Sequence, residues 1–229
     1  AKWSHMLGGQ ANPGVTIRSI INRGGEQGAQ HSQALHAWFA HVPGLRVVMP
    51  STVADARDLL IASVLCNDPV MYIDDRWLYD QEDDLPPVVE LDLTNQQPVV
   101  SIVGSDITIV ASGHASLLAR EAAEQLKNEG ILVEVVDIRV LNPFHAEEII
   151  KSVKKTKNLL AIDSGWISGG FSAEIIAKVV EQLPVDCLNN PPTRLALPDA
   201  PAPVSRVLEK AYYTTTDDVV NIVKKIVKS

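Results

Sequence analysis

Cysteine is scarce in this chain, with Cys66 and Cys187 the only two among 229 residues. They lie far apart, and neither has a second cysteine at metal-ligand spacing. That argues against a disulfide-built secreted scaffold and a cysteine zinc centre, and fits two buried thiols in a reducing, cytosolic compartment. Positive charge is also short: 20 Lys and Arg face 28 Asp and Glu, for a net charge of −8 with no basic block. Nucleic acid and anionic membrane surfaces are therefore not expected partners. No apolar run is long enough for a membrane span. Complete Gly-x-Gly-x-x-Gly, Gly-Lys-Ser/Thr and Gly-x-Ser-x-Gly motifs are missing, which removes the usual dinucleotide, P-loop and nucleophile-elbow readings. Residues 1–10 carry neither a signal-peptide core nor an Arg/Ser-rich transit pattern. The chain does not begin with Met, and Trp3, Met6 and Leu7 fall on one helical face. It reads as a piece of something longer.

What is present is an alternation of apolar segments. Hydrophobic residues make up 46% and charged residues 21%, enough for one large domain or two small ones. Val15–Ile21 is rich in β-branched residues and predicts a buried strand. Leu45–Met49 and Val70–Asp74 predict two more. Between them lie a helix-like run, Ala34–His41, and a helix opened by Ser51 or Thr52. Strands alternating with helices imply a parallel sheet covered on both faces. From Tyr79 to about Pro98 the chain turns acidic and proline-bearing, the character of an interdomain linker. A second α/β unit follows. Its strands are expected at Asp106–Ala111, Ile131–Ile138, Leu159–Asp163 and Thr193–Leu197. Its helices are expected after Ser112-Gly113-His114, Pro143-Phe144-His145 and Gly169-Gly170, and near Val204–Lys210 and Asp217–Val227.

One stretch stands out, Gly24-Gly25-Glu26-Gln27-Gly28-Ala29-Gln30-His31-Ser32-Gln33. Glycine permits positive φ and close approach of a ligand, and histidine exchanges protons near neutral pH. The stretch fits either a solvated turn with a polar helix cap or a loop that delivers a proton carrier to an active site. Ser112-Gly113-His114 sits at the carboxyl end of a strand, where open α/β sheets bind ligands; Ser112 as helix cap with His114 in the first turn explains it as well. Gly169-Gly170 suits a tight strand-to-helix turn. His36 and His41 are five apart, off one helical face, and no convergent acids complete a metal set. Asp74 and Asp75 point to opposite faces of a strand, which argues against shared chemistry.

Taken in order, a series of motifs resembles one family. The series runs Ala1-Lys2-Trp3 with Gly8-Gly9-Gln10; Gly28-Ala29-Gln30-His31-Ser32-Gln33; Ala37-Trp38-Phe39-Ala40-His41-Val42-Pro43-Gly44-Leu45; Val47-Val48-Met49-Pro50-Ser51-Thr52; Gly104–Val110; Val135–Arg139; and Gly169-Gly170-Phe171. The family is the β subunit of thiamine-diphosphate-dependent 2-oxo acid dehydrogenases, of the pyruvate, branched-chain and acetoin types. The resemblance implies the last part of a transketolase-like pyrimidine-binding domain over residues 1–79, a linker over 80–98, and a transketolase C-terminal domain of three-layer α/β/α type over 99–229. It also implies that His31 is the active-site histidine, orienting substrate and assisting proton transfer or acyl passage to a lipoyl group, with Gln30, Ser32 and Gln33 supporting it.

The family's cofactor-activating glutamate would precede Ala1, so the chain alone is expected to be inactive and to bind no cofactor through its own residues. An α subunit, in a heterotetramer, would supply the diphosphate and magnesium site, and a lipoyl acyltransferase would dock. A structural potassium ion would sit on backbone carbonyls of Ser63, Val64, Cys66 and Asp68, although relatives usually carry an acidic residue where Cys66 stands. The family's compartment is the cytoplasm, or the mitochondrial matrix in eukaryotes. Other expectations are an assembly and acyltransferase-docking module without catalysis, or another transketolase-type enzyme. An open sheet edge in residues 1–79 predicts self-association.

Overall fold

The chain alternates short apolar strands with amphipathic helices, and this patterning builds two sheets that share one seam. The structure is a computed structural model and describes residues 1–184 and 186–228. In order, the elements of the first half are α1 (Trp3–Met6), β1 (Thr16–Ile21), α2 (Gly28–His31), α3 (His36–Ala40), β2 (Arg46–Val48), α4 (Val53–Leu65) and β3 (Val70–Asp75), then a 3-10 turn at Arg76–Leu78. The second half holds β4 (Val99–Ile102), β5 (Ile107–Ala111), α5 (His114–Lys127), β6 (Val133–Asp137), β7 (Val140–Asn142), α6 (Glu147–Thr156), β8 (Leu159–Trp166), α7 (Phe171–Val180), β9 (Thr193–Leu197), α8 (Arg206–Tyr212) and α9 (Thr216–Val227). No described helix is long and apolar enough to cross a membrane.

The sheets are mixed rather than purely parallel. The first has the order β1-β3-β2-β7 and the second β4-β6-β5-β8-β9. In the first, β1 and β2 both run parallel to β3, in registers that pair Thr16 and Arg46 with Val70. Its far edge is β7, antiparallel to β2 and drawn from the second half of the sequence. In the second sheet β5, β6, β8 and β9 are parallel neighbours, and β4 closes the edge antiparallel to β6. The three-residue β7 and the β4 segment beside the linker are too short or too irregular to read as strands from sequence.

Because β7 crosses over, the main core is common to both halves. Val47, Met49, Met71 and Ile73 pack with Val110, Val136, Leu141 and Ile149 in one buried cluster. The opposite face of the second sheet is covered by α5 and α9, where Leu118, Leu126, Val219 and Val223 bury against Ile107 and Ile109. Helix starts follow local chemistry. Thr52, not Ser51, caps α4 by accepting from the Asp55 N–H, and Thr215 with Asp218 forms a reciprocal capping box on α9. In α6, Glu147 and Glu148 open the helix while Lys154 and Lys155 close it, each sign at the dipole end that favours it.

Further expectations change. The strand at Val15–Ile21 is not buried: Ile17 is 50% and Ile20 43% exposed. β1 pairs only with β3 and forms the sheet edge, so its β-branched residues mark strand propensity without burial. The four-residue α1 leaves Trp3, Met6 and Leu7 exposed. Cys66 and Cys187 are free and only partly buried.

Candidate active site

The Gly-rich stretch leaves the carboxyl end of β1 and follows an unusual backbone path. Gly24, Gly25 and Gly28 all have positive φ, and so does Glu26 at +63°, where L residues are disfavoured. Gly24 is required: a Cβ there would lie 2.5 Å from the indole Nε1 of Trp77. The path ends in α2, whose last residue is His31. His31 is exposed, and among the described residues its ring enters no hydrogen bond or ion pair that would orient it. The Gln33 side chain donates to the Gln30 carbonyl at 3.3 Å, and Ser32 is buried beneath the turn. The arrangement presents a solvent-facing imidazole on a loop whose underside is fixed.

That underside is a cage of charge and aromatic rings. Arg23 is buried and its Nη2 lies 2.7 Å from the Asp75 carboxylate. Its guanidinium sits 5.4 Å from the Trp77 ring centre and 5.7 Å from that of Tyr213, within cation–π range of both. Asp75 also accepts from the Trp77 N–H. Burial raises the Asp75 carboxyl above the ordinary range, and the Arg23 charge offsets only part of that. His114, the first residue of α5, meets Trp77 edge-on at 5.0 Å. Burial, and secondarily the Arg23 charge, lowers its imidazole to about 4, so it is neutral at pH 7. Ser112 is not the cap of α5. Gly113 takes that position, and the Ser112 hydroxyl faces Met49 Sδ instead. Asp74 and Asp75 do have separate partners, Asp74 binding Arg18 and Tyr79.

Two further polar clusters cross the seam. His36 Nε2 lies 2.8 Å from Asp163 Oδ1, both side chains buried, joining α3 to β8. Asp163 also accepts from the N–H groups of Gly165 (2.8 Å) and Ser172 (2.9 Å). Burial alone would raise its carboxyl. The His36 charge and hydrogen bond, aided by the two N–H groups, outweigh burial and hold it down at about 2. Asp137 ends β6 between the hydroxyls of Ser51 and Ser116, with Arg120 3.7 Å away. There burial prevails and pushes the carboxyl up to about 6. Sequence reasoning set His36 aside and did not single out Asp163, Arg23 or Asp137. The available signal was a charged or titratable residue within, or at the end of, an apolar segment.

A groove of about 950 Å³ opens between α3, β7 and α7, walled by Trp38, Phe144 and Phe171, with Glu174 and Lys178 at α7. His31 does not line it. At the end of α4 the Ser63 carbonyl accepts from the Thr16 hydroxyl at 2.7 Å, and the Cys66 carbonyl faces Gly14. The Asp68 carboxylate is engaged by Arg46 at 2.6 and 2.9 Å, and Val64 points outward with 66% exposure. Among the described residues no group of three or more His, Cys, Asp or Glu is placed to hold a metal ion.

Comparison with known proteins places this arrangement. Residues 1–81 match the family described as transketolase, pyrimidine binding domain, and residues 98–219 match transketolase, C-terminal domain. The chain is 34% identical to the pyruvate dehydrogenase E1 component subunit beta of Rhizobium meliloti over 99% of its length and 49% of the relative's. It is 35% identical to the acetoin:2,6-dichlorophenolindophenol oxidoreductase subunit beta of Bacillus subtilis, over 97% of this chain and 64% of that one. Against the pyruvate dehydrogenase E1 component subunit beta of Rickettsia felis it is 34% identical over 99% of this chain and 69% of the relative. It thus spans about half to two thirds of the length of these relatives. A solved split-gene transketolase, an inactive β4 tetramer, superposes with a TM-score of 0.76 at 24% identity, covering 93% of this chain and 66% of that one. That likeness concerns the fold alone. The chain belongs to the family of 2-oxo acid dehydrogenase E1 β subunits, built on transketolase-type pyrimidine-binding and C-terminal domains.

Proposed function

We propose that this chain forms part of an E1 β subunit that decarboxylates a 2-oxo acid and passes the acyl group to a lipoyl acyltransferase. The observation that carries the reading is His31, exposed at the rim of a braced glycine-rich loop and matching the family's active-site histidine in its motif. An imidazole with an open face and no partner among the described residues fits a substrate-bearing cofactor held mainly by a second subunit. Thiamine diphosphate, with magnesium on an α subunit, would supply the nucleophilic carbon for attack on the 2-oxo group. His31 would orient the substrate and hold or release a proton at its ring nitrogens. The isolated chain would be inactive, and a heterotetramer with the α subunit would complete the site. A potassium ion, if bound, would rest on the carbonyls of Ser63, Val64, Cys66 and Asp68. The residues fit it only through backbone oxygens, since the Asp68 side chain is engaged elsewhere.

The test pairs the full-length gene product with its α subunit and measures thiamine-dependent decarboxylation. His31→Ala is expected to lower turnover about 10²-fold, the scale of one proton-transferring side chain. Unchanged turnover overturns the role.

A second reading, an assembly and acyltransferase-docking module, is favoured by the exposed β1 edge, where Ile17 and Ile20 face solvent. Unpaired strand edges promote pairing with another chain. Ile17→Lys combined with Ile20→Lys is expected to shift the isolated chain toward monomer in sedimentation velocity. An unchanged distribution removes the edge as the association surface. Tight thiamine diphosphate binding by the isolated chain would count against the docking-module reading.

A further inference from the structure

The Gly-rich loop is held by the far end of the sequence. Glu26, in its left-handed conformation, donates its backbone N–H to the buried Glu209 carboxylate of α8 at 3.1 Å. Gly28 packs on Val204 so closely that a Cβ would lie 2.7 Å from Cγ2. The hydroxyls of Ser32 and Tyr213 are neighbours, both buried and without a hydrogen bond between them, and the Tyr213 ring also covers Arg23 at the loop's entry. The segment making these contacts is itself pinned to the second sheet. Trp166 of β8 donates from its indole to the Tyr212 hydroxyl at 3.0 Å, and that hydroxyl donates to the Ala200 carbonyl at 2.7 Å. Tyr212 meets Tyr213 edge-on at 5.0 Å. A rigid path therefore runs from β8 through Tyr212 and Tyr213 to the turn beneath His31.

Strained backbone persists where surrounding contacts over-determine it. Without Glu209, nothing else among the described residues binds the Glu26 N–H, and the loop would relax toward ordinary φ. We propose that residues 204–213 act as a positioning brace for His31, with Glu209 and Tyr213 as positioning residues that fix the loop's shape and so the place from which the imidazole projects. This rests on the role given to His31 above.

The test is hydrogen exchange on the chain, read separately from activity. In Glu209→Ala, amides of residues 24–30 are expected to exchange about tenfold faster or more while β5 and β6 keep their protection. Glu209→Gln, which still offers an acceptor oxygen, is expected to restore most of it. Tyr213→Leu, which removes the ring packed beside Ser32 and over Arg23, is expected to speed exchange at residue 23 and residues 31–34, and it decides the matter should Glu209→Ala fail to fold. In the assembled enzyme, Glu209→Ala is expected to lower kcat about tenfold with little change in KM, and Glu209→Gln to recover it. Unchanged loop exchange in both variants overturns the brace, as does faster loop exchange with unchanged kcat. Unchanged turnover in His31→Ala overturns the role of His31 instead, leaving the exchange result to decide whether α8 holds the loop.

Discussion

Asp75→Ala is expected to destabilise the chain by about 3–5 kcal/mol in urea unfolding at pH 7, the cost of leaving one member of a buried ion pair without its partner. Arg23 is 5% exposed and Asp75 0%, so water cannot take over from the lost carboxylate. A guanidinium stays charged at any pH a protein survives. The same variant removes the acceptor for the Trp77 N–H and so loosens the ring that packs on Gly24 and His114. The reverse truncation, Arg23→Ala, is expected to cost less. Asp75 already titrates high because of burial, and without Arg23 it can neutralise by taking a proton. A folded-state pKa above the unfolded value gives stability that is present at low pH and lost as pH rises through the folded value. The Arg23→Ala deficit should therefore shrink as pH falls below 7, whereas that of Asp75→Ala should not. Combining Arg23→Leu with Asp75→Asn is expected to recover much of the loss, since a buried pair is often replaceable by packed neutral groups. A double-mutant coupling near zero would show that the pair does not hold the cage together.

The cage also shows where sequence reading stops. The helices were legible because their apolar positions recur on one face: α5 buries Leu118, Ala122 and Leu126, and α9 buries Val219, Val223 and Ile226, as their spacing predicts. Most strands were legible as β-branched runs between turns. β7 was not, because three residues carry no periodicity and its partner β2 lies some ninety positions earlier. The exposure of β1 was not legible either, since strand propensity reports backbone preference and not which edge the strand occupies. At the site, the motif around His31 stood out from glycine spacing and family pattern. Its supports did not. Arg23 meets Asp75, Trp77 and Tyr213, and His36 meets Asp163 across 127 positions. Charge in a buried segment announces that a partner exists, but only the fold selects it. The Arg23–Tyr213 and His36–Asp163 contacts cross between the two halves of the chain.

Asp163 gives the second large effect, with a sharper pH signature. Its carboxylate accepts from His36, Gly165 and Ser172, and the Ser172 N–H belongs to the first turn of α7, where a negative charge also meets the positive end of the helix dipole. Alanine at this position would leave three buried donors unsatisfied and is expected to cost about 4 kcal/mol. An asparagine side chain could replace the oxygen facing His36 and Gly165, but its amide N–H₂ would then face the Ser172 N–H, donor against donor. Asp163→Asn is accordingly expected to cost about 2–3 kcal/mol at pH 7, the scale of an unsatisfied buried donor. The folded carboxyl is held at about 2, below the value of about 3.9 for an unfolded Asp. A depressed carboxyl contributes stability that is present above the unfolded value and lost as pH falls through the folded one. The gap between wild type and Asp163→Asn should therefore close between about pH 4 and 2, where the wild-type carboxylate takes up its proton. His36→Ala should narrow that window from below, since it removes the largest influence holding the carboxyl down. An Asp163→Asn deficit that stays constant down to about pH 2 would mean that the hydrogen-bond geometry, and not the charge, joins α3 to α7 across the seam.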